Sequence, residues 1–478
     1  MRCASAYFRS HFSASSHSDL LRSLDGGGAR RAASVWSFGD NSNGALGIAT
    51  PLADGYEPTR VPSLPSDVTS VAAGHYHSLA VTARGDLWAW GRNEEGQLGR
   101  HAAAHRVTWS QPEKVAGVDH VGVTAAFASG VVSAAIDDEG SLWVWGRSKR
   151  GQLGLGNGVI EATKPSKVEA LAGHQLVKDI HDEVTHDEES SFAGVIRSSS
   201  LLLWIFFLFP TSMPLALQVS FGWGHALALT KSGKVFGWGY AKDGRLGQMG
   251  QKLYVAHEPL KHDRSLESST SMLDAVEKLV AEKIEEEKSM PIIWEPCEIL
   301  DMGDSSASDV ACGLDHSLVL SSNSSILSGG DNTYGQLGRS TGEGSVMLPV
   351  DTNTLSLSVS AGLGHSLAIC HTSSGACTSV LSWGWNRSHQ LGRRGREDAP
   401  GIIKALNGET PTSVSAGRVH SLALTAKKEL WLWGSGRNGR LGLGSSLDET
   451  EPAMVESLAG LDILQAVAGF DHNLVLVS

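Results

Sequence analysis

The sequence predicts an all-β fold, a seven-bladed β-propeller, and three observations predict it. The stretch LWAWGRNEEGQLG at residues 87–99 recurs seven times, the other copies beginning at Val35, Leu142, Val235, Ile326, Val380 and Leu430. A second element, Gly-x-x-His followed by small and aliphatic residues as in AAGHYHSLAV, also occurs seven times. Finally, the chain opens on a Trp-Gly strand with no Gly-x-x-His before it and closes on Gly469 to His472 with no Trp-Gly strand after it. A unit repeating at roughly 50 residues cannot bury its apolar face alone, which leaves a solenoid or a propeller. The complementary missing halves favour the ring. Pairing the N-terminal strand with the C-terminal ones leaves no open sheet edge, whereas a solenoid would want capping repeats.

Within one copy, Leu87, Trp88, Ala89 and Trp90 form an aromatic and aliphatic run too short for a helix and suited to a buried strand. Gly91 ends that strand. Gly96 and Gly99 follow where a tight reversal needs positive φ or close backbone approach, and Leu98 between them can plug the core. In the second element the glycines are Gly74, Gly130, Gly222, Gly313, Gly362, Gly417 and Gly469. The fourth positions are His77, Ser133, His225, His316, His365, His420 and His472, so that Ser133 alone breaks the histidine series. Each histidine belongs to a different blade, which spreads them around the ring, and they are expected to bond neighbouring backbone groups instead of a metal. The tryptophans on the repeating strand, Trp90 and Trp145 among them, have a sufficient structural role in burial.

These paired motifs resemble the regulator of chromosome condensation repeat family over residues 35–478. The resemblance implies the propeller fold and leaves function open among a guanine-nucleotide exchange factor, a plant ultraviolet-B photoreceptor and adaptors. The photoreceptor of that family repeats Gly-Trp-Arg-His-Thr units. Here the matching positions read GHYHS, GWGHA, GLDHS, GLGHS, GRVHS and GFDHN, and Trp223 alone keeps the aromatic, beside Gly224. Photoreception by that route is not expected.

Catalysis is not expected either. The loop Gly91 to Gly96 has Gln97 and Leu98 where a phosphate loop requires Lys and Ser or Thr. No Ser-His-Asp arrangement or paired carboxylates stand out, so no catalytic, cofactor or metal residues are assigned. The 478 residues carry 55 glycines and 14 tryptophans, which fits a turn-dense β domain. The net charge of -12 opposes a broad grip on nucleic-acid phosphates, so no direct nucleic-acid contact is expected, although it allows a local basic patch. Five scattered cysteines without a CxxC pair give neither a disulfide framework nor a zinc site.

Three segments stand outside the repeat. Residues 1–34 carry Arg2, Arg9, Arg22, Arg30 and Arg31, eight serines, and Asp19 and Asp25 as the only acids, a composition like that of an organellar transit peptide, with a disordered leader as the alternative. Arginines spaced among Phe8, Phe12, Leu20, Leu21 and Leu24 favour a mitochondrial address over a plastid one; the nucleus or cytoplasm is the alternative. An insertion at 181–218 contains SSSLLLWIFFLFPTSMPLALQ. Pro210 and Pro214 break its short apolar run and it sits inside the repeat, so no membrane span is expected and residues 196–218 read as a gene-model artefact, such as a translated intron. A second insertion at 260–291 contains SMLDAVEKLVAEKIEEEKSMP, an amphipathic helix capped by Ser271 and ended by Pro291. Its stripe, with Val276, Leu279, Val280 and Ile284, either packs on the ring or, with Glu285 on its charged flank, forms a handle for a partner.

The expected function is a noncatalytic scaffold or adaptor acting through protein partners. With a mitochondrial address, resemblance to plant organellar members of the family implies support of organelle RNA processing and respiratory-complex biogenesis, the partners including RNA-processing factors. The alternative is exchange activity on a small GTPase outside the organelle.

Overall fold

The run Leu87 to Trp90 folds as the strand Leu87–Gly91, the third of a four-stranded antiparallel sheet. From the axis outward this blade 1 consists of Val68–Ala73, His77–Thr82, Leu87–Gly91 and Glu113–Lys114. The computed structural model describes residues 32–48, 53–100, 109–174, 218–249, 290–303, 305–339, 346–372 and 377–478. Blades 2 to 6 repeat the plan, starting from the inner strands Val123–Ala128, Gln218–Phe221, Ala307–Cys312, Ser356–Ala361 and Pro411–Ala416. Each inner strand lies against the inner strands of its two neighbours, which closes the circle.

Blade 7 is the composite that the complementary half-motifs predict. Its two inner strands, Ile463–Ala468 and His472–Val477, come from the C-terminus, and its two outer strands, Ser34–Gly39 and Gly55–Arg60, from the N-terminus. The joint runs antiparallel from Ser34 opposite Val477 to Gly39 opposite His472. No edge is left for a cap.

Tryptophan locks blade to blade. Trp90, Trp145, Trp238, Trp383 and Trp433 are fully buried. Each indole N–H donates to a carbonyl in the turn of the preceding blade, those of Ala45, Gln97, Gln152, Gln336 and Gln390 at 2.7–2.9 Å. Burying such a ring contributes about 2 kcal/mol or more, and the N–H leaves no donor unsatisfied. The last glycine of each turn makes the room: a Cβ on Gly99, whose φ is +61°, would stand 2.7 Å from Val115 Cγ1 and 3.1 Å from Trp145 Nε1.

Blades 4 and 7 depart from this pattern. Gly329 and Phe38 occupy the tryptophan positions, and in each case the preceding turn has arginine where four of the other turns have glutamine. Arg245 and Arg440 are both buried, and they pair with Asp315 and Asp471, the residues immediately before His316 and His472.

Among the described residues the remaining helical elements are short 3-10 turns. The first insertion lies between His174 and Gln218, on the passage from blade 2 to blade 3, and the second between Met249 and Met290, inside blade 3. The leader to residue 31, the apolar run before Gln218 and the helix expected around Val276, Leu279, Val280, Ile284 and Glu285 lie outside the described residues. No described helix is long and apolar enough to cross a membrane.

Candidate functional site

Placed on the ring, the six motif histidines are structural. Their side chains are at most 1% exposed. Nε2 of His77, His225, His316 and His365 lies 2.7–3.0 Å from the hydroxyl of Ser133, Ser317, Ser366 and Ser421 in the next blade. His420 meets Asn473 Oδ1 at 2.9 Å, and His472 meets Ser78 at 2.9 Å, which carries the series across the closure. The expected backbone partner is thus replaced by a side chain, which relays to backbone: Ser78, Ser133, Ser366 and Ser421 donate to the carbonyls of Ala45, Gln97, Gln336 and Gln390.

That relay fixes the tautomer. A serine hydroxyl has one hydrogen, so once it donates to a carbonyl the imidazole must donate from Nε2, leaving Nδ1 as a bare lone pair. A proton on Nδ1 would have no acceptor, and burial pushes His77, His365 and His420 down to about 3, His316 and His472 to about 4, and His225 well below the ordinary value. The glycine of the motif serves the same ring: a Cβ on Gly74 would stand 2.8 Å from His77 Cε1 and 2.5 Å from the Ser129 carbonyl.

The register corrects the expectation for Ser133. His77 pairs with Gly91 and Ser78 with Trp90, while in blade 2 Val132 pairs with Gly146 and Ser133 with Trp145. Val132 is therefore the residue in the histidine position, and Ser133 is the acceptor for His77. Ser129 takes the place of Gly74, each donating its N–H across its loop to residue 132 or 77.

With these residues committed to the frame, the variable positions of the motif come into view at one mouth of the axial channel. The loops surround a cavity of about 130 Å³. His75 stacks between Phe470, at 4.2 Å between centroids, and Trp223, at 5.9 Å. The stack is capped at both ends by arginine, Arg150 lying 4.9 Å from the Trp223 ring and Arg418 4.9 Å from that of Phe470. Five blades thus contribute to one band. Arg418 also pairs with Asp471 at 3.0 Å, and Trp223 remains 40% exposed. Burial, with His472 and Arg418 adding to it, lowers His75 to about 4, so its ring is neutral at physiological pH. Sequence reasoning singled out Trp223 but missed His75, Phe470 and the two arginines, whose only mark is to fall on the x positions of the motif or in its turn. No group of three or more metal-ligating side chains is formed among the described residues.

Family models match this architecture: the RCC1-like domain over residues 206–475, and the regulator of chromosome condensation (RCC1) repeat over 33–81, 84–136 and 139–181, with a second repeat model at 68–97. The chain belongs to the RCC1-like family. It is 27% identical over 426 residues to the ultraviolet-B receptor UVR8 of Arabidopsis thaliana, covering 85% of this chain and 86% of the receptor. It is 28% identical over 348 residues to the secretion-regulating guanine nucleotide exchange factor of Mus musculus, covering 70% of this chain and 61% of that protein. The crystal structure of Prp20p from Saccharomyces cerevisiae, described with its binding properties to Gsp1p and histones, superposes with a TM-score of 0.65 at 21% identity, covering 94% of this chain and 92% of that one. That likeness confirms the RCC1-like fold.

Proposed function

We propose that this RCC1-like propeller is a noncatalytic scaffold that works through protein partners, in mitochondria, in support of organelle RNA processing and respiratory-complex biogenesis. One observation carries the reading. The six motif histidines, their acceptors and the five buried tryptophans are consumed in inter-blade bonds, which leaves the channel-mouth band of His75, Trp223, Phe470, Arg150 and Arg418 as a surface built for contact. The arginine-rich leader supports the organellar setting. The test is fractionation of cells expressing the chain with a C-terminal tag, then identification of co-purifying proteins with the parent and with Trp223→Ala. Mitochondrial recovery, with RNA-processing partners lost in the variant, is the expected outcome. A nuclear or cytosolic pool holding a nucleotide-free GTPase would overturn it.

That second outcome is the alternative reading, exchange activity on a small GTPase, and the resemblance to the secretion-regulating exchange factor favours it. Release of a fluorescent guanine nucleotide from the captured GTPase, measured with and without the propeller, would distinguish an exchange factor from a simple binder.

A further inference from the structure

At three blade interfaces the rim carries a side-chain pair built on the same two positions. One member precedes the second glycine of a turn and the other follows the first glycine of the next blade's turn. Between blades 6 and 7 the pair is Asn438 and Asp40, hydrogen-bonded at 2.8 Å. Between blades 2 and 3 it is Arg150 and Tyr240. Between blades 4 and 5 both members are aromatic: Tyr334 stacks on Trp385 with centroids 5.5 Å apart and planes 28° from parallel. Tyr334 is nevertheless 49% exposed, and the buried Trp385 indole N–H has no acceptor.

This aromatic pair forms part of the wall of an open groove of about 830 Å³. Its walls include Arg339 and Arg387, and the loop carrying Glu397 and Asp398. Residues 384–396 hold Arg387, Arg393, Arg394 and Arg396 with no acid among them, on a chain whose net charge is -12. Arg393 is spent on backbone carbonyls of Ser382, Arg396 and Ala399, and Arg396 on Asp398, which it meets through two bonds at 3.0 and 2.8 Å. Asp398 is thereby neutralised. Arg387 and Arg394 are exposed and make no ion pair within the described residues. An open aromatic face beside an uncommitted guanidinium group is the combination that single strands use, the base stacking on the ring and the phosphate meeting the cation. A folded duplex offers no free base face to such a shelf. Glu397 adds a carboxylate able to accept from an exocyclic amino group such as that of cytosine.

We propose that the groove between blades 4 and 5 binds single-stranded nucleic acid, an unpaired base lying on the Tyr334–Trp385 stack and its phosphate on Arg387. The site is separate from the channel mouth, and its failure would leave the scaffold reading untouched. The local patch is compatible with the acidic whole, because phosphate contact here needs a local cation and no broad basic face.

The full chain would be titrated by fluorescence anisotropy with a labelled 12-nucleotide RNA of mixed sequence, the same sequence as single-stranded DNA, and the RNA as a duplex. Either single strand binding well ahead of the duplex supports the site, and the ratio of RNA to DNA names the strand. Tyr334→Ala weakens the single strand about tenfold, as loss of one stacked base would. Arg387→Glu weakens it and reduces the salt dependence by about one phosphate contact. With 4-thiouridine in the RNA, cross-linked peptides map to residues 331–339 or 384–398, a readout that needs no variant to fold. Three results would overturn the proposal: no single-strand binding at low salt, binding unchanged in both variants, or an acidic peptide displacing the RNA and itself depending on Tyr334.

Discussion

Six of the seven blade interfaces are laced by a histidine and its acceptor, and the interface between blades 2 and 3 is not. There Val132 occupies the histidine position and Ala226 the position of the serine acceptor, both wholly buried. The other interfaces also carry a backbone bond between adjacent mouth loops, such as Trp223 N–H to Leu314 and Arg418 N–H to Phe470. Between blades 2 and 3 the carbonyl of Gly222 instead accepts from the Gln152 side chain at 2.8 Å. Both ends of the missing link are lost together, and physics gives the reason. A buried imidazole without an acceptor, or a buried hydroxyl without a donor, costs about 1–3 kcal/mol, while two apolar groups in their place can be nearly neutral. Val132, Val219, Ala226 and Trp238 accordingly fall in one apolar cluster that spans the interface.

Acid should break the comparison most forcefully, because it attacks the six laced interfaces and leaves the apolar one alone. A histidine held neutral in the fold but free to titrate at 6.5 when unfolded contributes stability that is complete above pH 6.5. That stability is lost as pH falls toward the folded value of about 3 or 4. At pH 5.5 each such group costs about 1.4 kcal/mol, and six cost roughly 8 kcal/mol, comparable with the whole stability of a domain. Urea midpoints measured between pH 7.5 and 5.5 should therefore collapse. A loss near that of a single histidine would mean that the imidazoles reach solvent or are already charged.

Single truncations come next in size. His365→Ala leaves a cavity and strips the hydroxyl of Ser421 of its donor, for an expected loss of about 3 kcal/mol. Val132→Ala, at the same place in the apolar interface, should cost about 1 kcal/mol. Equal losses in chemical denaturation would show that the polar link adds nothing beyond packing.

The ring itself was legible in the sequence, because its cause is local and repeated. Tryptophan, the glycine beneath it and the Gly-x-x-His pair each leave a residue-type mark in most blades, and the half-motifs at the two ends carry the closure. The paired loss of Val132 and Ala226 was not, because Ser129 stands in the motif's glycine position and Gly130, one residue later, brings Ser133 into apparent alignment with the histidines. Only strand register separates them. The channel-mouth band and the Tyr334–Trp385 shelf were hidden for a different reason. Their members come from different blades, at positions that the repeat leaves free to vary, so sequence spacing says nothing of their meeting.

A carboxylate on the inner wall gives a smaller effect of opposite sign. Asp309 accepts from Val359 N–H and Gln218 Nε2, both at 2.9 Å, which ties blades 3, 4 and 5, and burial raises it to about 6. A raised acid holds its proton longer folded than unfolded, so the stability associated with it is present below pH 4 and lost as pH rises to 6. Asp309→Asn removes that loss while keeping one acceptor. The variant should gain about 1 kcal/mol at pH 7.5, a gain that shrinks as pH falls through 6 while the ring is still folded. A gain that stays constant as pH falls would assign the effect to packing instead of ionisation.

The smallest net change is the sharpest test, because it asks whether the missing link can be written back. Val132→His alone buries an imidazole with no acceptor opposite it, and Ala226→Ser alone buries a hydroxyl with no imidazole, so each should lose about 1–3 kcal/mol. Together they recreate the pair found at the other interfaces, and the introduced hydroxyl would have the Gln152 carbonyl, already the acceptor of Trp238, for its own hydrogen. The double variant should return to within about 1 kcal/mol of the parent, a coupling of about 1 kcal/mol or more in a double-mutant cycle. It should also gain the acid sensitivity of a seventh histidine. Additive losses would show that the apolar interface has moved too far to accept the link, and that the frame of the ring is less interchangeable than its repeats.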